Sequence, residues 1–266
     1  MSAENRGRNR DQDRQPLQNR DAPDPEMRGS GTPQGFTDRM TTGEAAAVLL
    51  YLPLHIWGLP TLLMTLPWTA ERLSDLDVNI WVYGFGALYM LLFAGRFLRR
   101  EFDPLCDRPA WCLLQILICY GMMMAFNLIL GIVLAPFLPE NTANPNNQAV
   151  LELIRVDYGK TAALAVFLSP LVEEPIFRGA VFGQVSRKNR IAAYLVSMVL
   201  FSLYHVWGYA LTDPMYWIYL IQYLPVSWLL CRCYERCDSI WGSIFLHMLI
   251  NGISMHLLSS IGSLGI

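Results

Sequence analysis

TAALAVFLSPLVEEPIFRGAVFGQ, residues 161–184, is long enough to cross a bilayer, yet it carries Glu173, Glu174 and Arg178 near its centre. A carboxylate at mid-membrane costs about 2.5–3.5 kcal/mol on insertion scales, so two adjacent ones persist only when partnered, hydrated or put to use. Arg178 stands four residues after Glu174, one helical turn on and on the same face, which predicts an ion pair between them. Glu173 points about 100° away around the helix. It is expected to have no partner within its own segment, and so to be the carboxylate left for chemistry. Pro170 and Pro175 bracket the pair, and Pro175 cannot donate to the carbonyl of Leu171, so the backbone should open beside the carboxylates. The plainer alternative is a buried ion pair that only fixes helix packing.

The rest of the chain has the composition of a membrane protein. Hydrophobic residues make up 53% and charged residues 16%, where soluble domains carry about a quarter charged. Residues 111–139, 191–212, 214–231 and 239–266 hold no Asp, Glu, Lys or Arg, and each stretch reaches the spanning length of about 18–20 residues. The fold class is therefore all-α and polytopic, with about seven transmembrane helices near 45–67, 78–98, 111–136, 160–186, 191–211, 214–232 and 239–260. Residues 1–42, rich in Arg, Asp, Gln, Asn, Pro and Gly, are expected to be a disordered cytoplasmic tail. Residues 43–138 form the first three helices, and 160–260 form the helical domain that carries the polar groups. Counting Lys and Arg, with Arg96, Lys160 and Arg232 at the helix ends taken with the adjoining connections, gives seven in the tail, then one, four, two, three, none, two and none in successive connections. The larger counts alternate, which places the N-terminus in the cytoplasm. Pro53, Pro60 and Pro67, with His55 and Gly58, mark the first helix as a candidate for a kinked or re-entrant segment. The net charge of -2 gives no reason to expect nucleic acid as a partner; membrane lipid is the expected surrounding, and a bacterial inner membrane the expected location.

Further polar groups share the depth of Glu173. Phe201 and His205 are one turn apart on the 191–211 helix, and His247 and Asn251 are one turn apart on the 239–260 helix. At 1.5 Å per residue, Glu173, His205 and Asn251 lie about 20–22 Å from the cytoplasmic loops and His247 about 14 Å. A polar, water-holding pocket between the 160–186, 191–211 and 239–260 helices accounts for all four. A carboxylate withdrawn from bulk solvent can take a proton from water held beside it. His205 would hold that water, and His247 with Asn251 would supply donors for a developing oxyanion. No nucleophile is apparent, because Ser169 has no base on its own face and no cysteine is near a histidine in sequence. Glu173, His205 and His247 also form a two-His, one-carboxylate set suited to Zn2+ with an open position. In both versions water attacks a carbonyl.

These residues resemble the CAAX-protease and bacteriocin-processing family of intramembrane endopeptidases. Its motifs are a double Glu followed by Arg, a Phe ahead of a His, and a His ahead of an Asn. They stand here as EEPIFRG (173–179), FSLYH (201–205) and HMLIN (247–251). The resemblance covers about residues 160–258. It implies a proteolytic water activated by Glu173 with His205, an oxyanion site from His247 and Asn251, and a supporting role for Glu174 and Arg178. It also implies a membrane-associated peptide or protein substrate, of the prenylated CAAX type or a small bacteriocin-like type. Family members are described both as metalloproteases and as metal-free glutamate enzymes, and the metal-free version is the reading preferred for this chain.

Other features read as structural. His55 and His256 lack polar company at their depth, and Met122–Met124 read as packing residues. Cys231, Cys233 and Cys237 are placed at a cytoplasmic loop as free thiols, and no structural disulfide is expected from Cys106, Cys112 or Cys119. A non-catalytic binder, as in bacteriocin self-immunity, or a proton-coupled transporter could use the same acidic pocket. A transporter would be expected to show internal repeats, and the sequence has none.

Overall fold

The computed structural model describes residues 40–138 and 144–263, with side chains to residue 260. The expected tail lies outside the described residues as far as position 39. Met40 is already buried, and Thr41 caps the first helix through a capping box with Glu44. The helices are α1 (Thr42–Thr65), α2 (Asp75–Phe93), α3 (Pro109–Leu134), α4 (Pro145–Val156), α5 (158–186), α6 (Arg190–Ala210), α7 (Leu220–Cys237) and α8 (Ile240–Ser263). Among the described residues, five stretches are long and apolar enough to cross a membrane: Thr42–Thr65, Asp75–Phe93, Pro109–Phe137, Arg190–Ala210 and Ile240–Ser260. The segments expected at 160–186 and 214–232 are helical but fall outside that set. The first is broken into short α and π pieces around its charges. The second opens on a 3-10 turn, Pro214–Tyr219, and α7 then runs on to Cys237, taking in Arg232, Glu235 and Arg236. Cys231, Cys233 and Cys237 therefore lie buried on a helix rather than in a loop.

The first helix runs on through its prolines with a π turn in place of a break. Pro53 leads into a π turn, Leu54–Gly58, from which the helix continues to Thr65; it ends where Leu66, held extended ahead of Pro67, leaves the helical region. The short helix α4, capped by Asn144, occupies a stretch read from sequence as a connection.

The polarity of the molecule is inverted relative to a water-soluble one. Leu92, Leu128, Ile132 and Ile191 project outward from α2, α3 and α6, while residues 172–183 of α5 form an unbroken buried run that includes both glutamates and Arg178. Around α5 pack α1, α2, α6 and α8. Gly86 lets α2 approach closely, because a Cβ there would stand 2.6 Å from Tyr51 Oη of α1 and 2.9 Å from Val172 of α5. Tyr51 donates to the Val82 carbonyl at 2.8 Å at the same crossing. The shell of helices places the charged turn of α5 at the centre of the fold.

Candidate active site

Ser169–Glu174 is a short α segment between two π segments, Ala163–Leu168 and Pro175–Phe182. The second starts at the proline that cannot donate, which is the expected opening of the backbone. The two glutamates leave this turn in different directions. Glu174 Oε1 accepts from Arg178 Nη1 at 3.1 Å and from His247 Nδ1 at 2.8 Å, and the Arg178 and Glu174 side chains are both 0% exposed. Arg178 Nη2 also donates to the Ser227 hydroxyl at 3.0 Å, and its guanidinium lies 4.2 Å from the ring centroid of Phe201. The Phe of the second motif is thus the surface on which the arginine rests.

Glu173 is not without a partner in its own segment. Ser169, one turn earlier, donates its hydroxyl to Glu173 Oε1, and Tyr83 of α2 donates to the same oxygen at 3.1 Å. Ser169 therefore does share a face with a carboxylate, contrary to the sequence reading, because the i to i+4 spacing brings the two side chains together. Glu173 Oε2 is buried with no hydrogen-bond partner among the described residues and stands 3.7 Å from His205 Nε2. The His205 ring is set by the Phe201 carbonyl, 2.9 Å from Nδ1, and by stacking on Tyr223 at 4.7 Å between centroids. A carbonyl only accepts, so Nδ1 carries the proton, and in the neutral ring Nε2 presents a lone pair. Two acceptors therefore face one another across a gap suited to a shared water or proton.

The cavity at this point has a volume of about 650 Å³ and is lined by Glu173, His205, His247 and Asn251, together with Ser169, Tyr83 and Tyr204. Four of the six sequence-predicted site residues thus face one space, while Glu174 and Arg178 lie behind its wall. Asn251 is partly committed elsewhere: its Nδ2 donates to the Ala165 carbonyl in the first π segment at 2.8 Å. One amide hydrogen of its two remains for another acceptor.

The side chains as placed do not fit the zinc set. Glu173 and His205 face one another, and the bond from His247 Nδ1 to Glu174 leaves His247 Nε2 free, but no group of three His, Cys, Asp or Glu among the described residues is arranged to hold a metal ion. No step is routed through a metal.

Sequence reasoning missed Tyr83, Tyr204 and Tyr223. Helical depth offers a signal for Tyr83, since it lies about 12 Å into α2 from the end opposite the cytoplasmic loops. Nothing local signals Tyr223. His55, read as a packing residue, is buried with Nε2 2.7 Å from Tyr204 Oη. His256 is exposed and away from the cavity.

Outward apolar faces, a buried charged helix and a polar cavity define an integral, multi-pass, all-α membrane protein. Residues 159–253 match the family described as type II CAAX prenyl endopeptidase Rce1-like, in keeping with the resemblance carried by the three motifs. It is similar to the "UPF0177 protein YxdF" of Lactococcus lactis subsp. lactis (strain IL1403), 34% identical over 31% of this chain and 41% of that protein. It is also similar to the "Putative membrane peptidase YdiL" of Bacillus subtilis (strain 168), 30% identical over 40% of each. The chain thus spans about two fifths of the length of these curated relatives. No solved structure matches it.

Proposed function

We propose that the protein is an intramembrane endopeptidase in which Glu173 activates water. The observation that carries this reading is the buried, unpartnered Oε2 of Glu173 facing His205 Nε2 at 3.7 Å within the cavity. A water between them donates one hydrogen to each acceptor. Glu173 takes one proton as the water oxygen adds to the peptide carbonyl carbon, and the carbonyl electron pair moves onto its oxygen. That oxyanion is met by the free amide hydrogen of Asn251, beside His247, whose Nδ1–H is held by Glu174. The intermediate collapses with cleavage of the C–N bond, and Glu173 returns its proton to the leaving nitrogen. Glu174 and Arg178 act at one remove, Glu174 orienting His247 and Arg178 answering the charge of Glu174. The substrate is a membrane-associated peptide or protein, of the CAAX type or a small bacteriocin-like type. The family match and the name of the Bacillus relative support the protease class.

The test compares new protein termini in membranes of cells carrying wild type or Glu173→Gln, with and without a zinc chelator. Termini present only with wild type, and insensitive to chelation, are the expected result. Identical termini at matched expression would overturn the reading and favour the binding or self-immunity role. Loss of the termini on chelation would overturn its metal-free form.

A further inference from the structure

Two of the groups that hold Glu173, namely Tyr83 and His55, lie outside the matched residues 159–253. Tyr83 Oη donates to Glu173 Oε1 at 3.1 Å, Tyr83 and Tyr204 share a hydrogen bond at 2.8 Å, and Tyr204 Oη lies 2.7 Å from His55 Nε2. The direction of this chain follows from its acceptor end. A carboxylate accepts, so the single Tyr83 proton is committed to Glu173, and the Tyr83 oxygen must accept from Tyr204. The Tyr204 proton is then committed in turn, and its oxygen accepts from Nε2–H of His55. His55 reaches this position from the π turn Leu54–Gly58 of α1, its ring edge-on to Tyr83 at 4.5 Å between centroids. Its Nδ1 is buried with no partner among the described residues. Burying an imidazole with one nitrogen unsatisfied is costly, and the bond to Tyr204 is the one hydrogen bond the ring makes among the described residues in return.

We infer that His55, Tyr204 and Tyr83 form a directed hydrogen-bond chain that positions Glu173, fixing its carboxylate through Oε1 so that Oε2 stays free toward His205. With Ser169 as second donor on the same oxygen, Oε1 is saturated and rotation of the carboxylate is opposed. The base is thus set by α1 and α2, and the N-terminal helices are part of the catalytic apparatus as positioning elements. This inference rests on the proposed function of Glu173, and each link strengthens the next because a hydroxyl that accepts becomes a better donor.

The experiment uses the full-length protein in detergent and, as probe, a quenched fluorogenic peptide spanning the cleavage site mapped from the Glu173-dependent termini. Tyr83→Phe removes one oxygen and keeps the ring, and it should lower kcat about 10- to 100-fold with KM unchanged. His55→Ala should lower kcat less, and the double variant should be no worse than Tyr83→Phe alone, because a broken chain has nothing further to lose. His55→Gln, whose amide can donate to Tyr204, should recover part of the His55→Ala loss. A merely structural role would instead lower the thermal midpoint, and the two losses would multiply. A Tyr83→Phe enzyme within twofold of wild type, or multiplicative losses at unchanged stability, overturns the inference while leaving Glu173 as base. No difference between wild type and Glu173→Gln on the same peptide overturns the base assignment and the chain with it.

Discussion

Glu173 and Glu174 are neighbours in sequence with opposite circumstances. Glu174 has its charge answered by Arg178 and His247, whereas Glu173 holds only neutral donors and one free oxygen. Breaking a buried pair costs more than the pair contributes, since the survivor stays charged and desolvated. Arg178→Ala should therefore destabilise the protein by about 3–5 kcal/mol, and Arg178→Met combined with Glu174→Gln should recover most of that loss. Thermal unfolding in detergent measures both. An Arg178→Ala variant that melts with wild type would count against the pair. The Arg178–Glu174 pair was legible because i to i+4 spacing on a helix suffices to bring two side chains together. By the same rule Ser169–Glu173 was legible, and the sequence reading overlooked it. The bonds from Tyr83 and from His247 were not, since those residues lie on separate helices whose rotations are set only by packing.

Among the elements, α5 departs furthest from what its sequence announces. Pro175 explains the π segment from Pro175 to Phe182, and just past the π segment Ala163–Leu168 stands Pro170, which has no N–H to give the Ala165 carbonyl. Its Ala165 carbonyl instead takes a donor from Asn251 on α8. Read from sequence, Asn251 was a donor for an oxyanion; in the fold it also clasps two helices. Asn251→Ala should consequently lower stability as well as turnover, with about 1–3 kcal/mol for the carbonyl left unpaired. A loss of turnover at unchanged melting temperature would contradict the clasp. At the α1, α2 and α5 crossing, Gly86→Val would drive a side chain into Tyr51 and Val172, where even a Cβ stands 2.6 Å from Tyr51 Oη. Overpacking of this kind costs about 1–3 kcal/mol, and it should also displace Tyr83, three residues before Gly86, from Glu173. Loss of turnover exceeding that expected from unfolding at the assay temperature is the outcome to look for. The start of α7 was misread for a related reason: a charge-free run from Pro214 gives no hint that its first turn is 3-10 and that the helix proper carries charged residues to its end.

For the molecule as a whole, hydropathy made the membrane class plain and left the number of crossings open, because α5 carries its charges in a buried turn at the interior of the bundle and α7 carries Arg232, Glu235 and Arg236 toward its end. Orientation rests on the Lys and Arg counts alone, and the thiols offer an independent measure of it. Among the six free cysteines, Cys106 is exposed on the short helix Phe102–Asp107 between α2 and α3, while Cys112, Cys119, Cys231, Cys233 and Cys237 are buried. With the N-terminus in the cytoplasm and two crossings before it, Cys106 faces the cytoplasm as well. A membrane-impermeant maleimide should label the protein in inverted vesicles but not in intact spheroplasts, and Cys106→Ser should abolish that labelling. Detergent denaturation should then expose the other thiols, since burial rather than oxidation protects them. Labelling of Cys106 from outside would reverse the orientation. It would leave the arrangement of Glu173, His205 and Tyr83 untouched, because those contacts depend on how the helices pack and not on which side they entered.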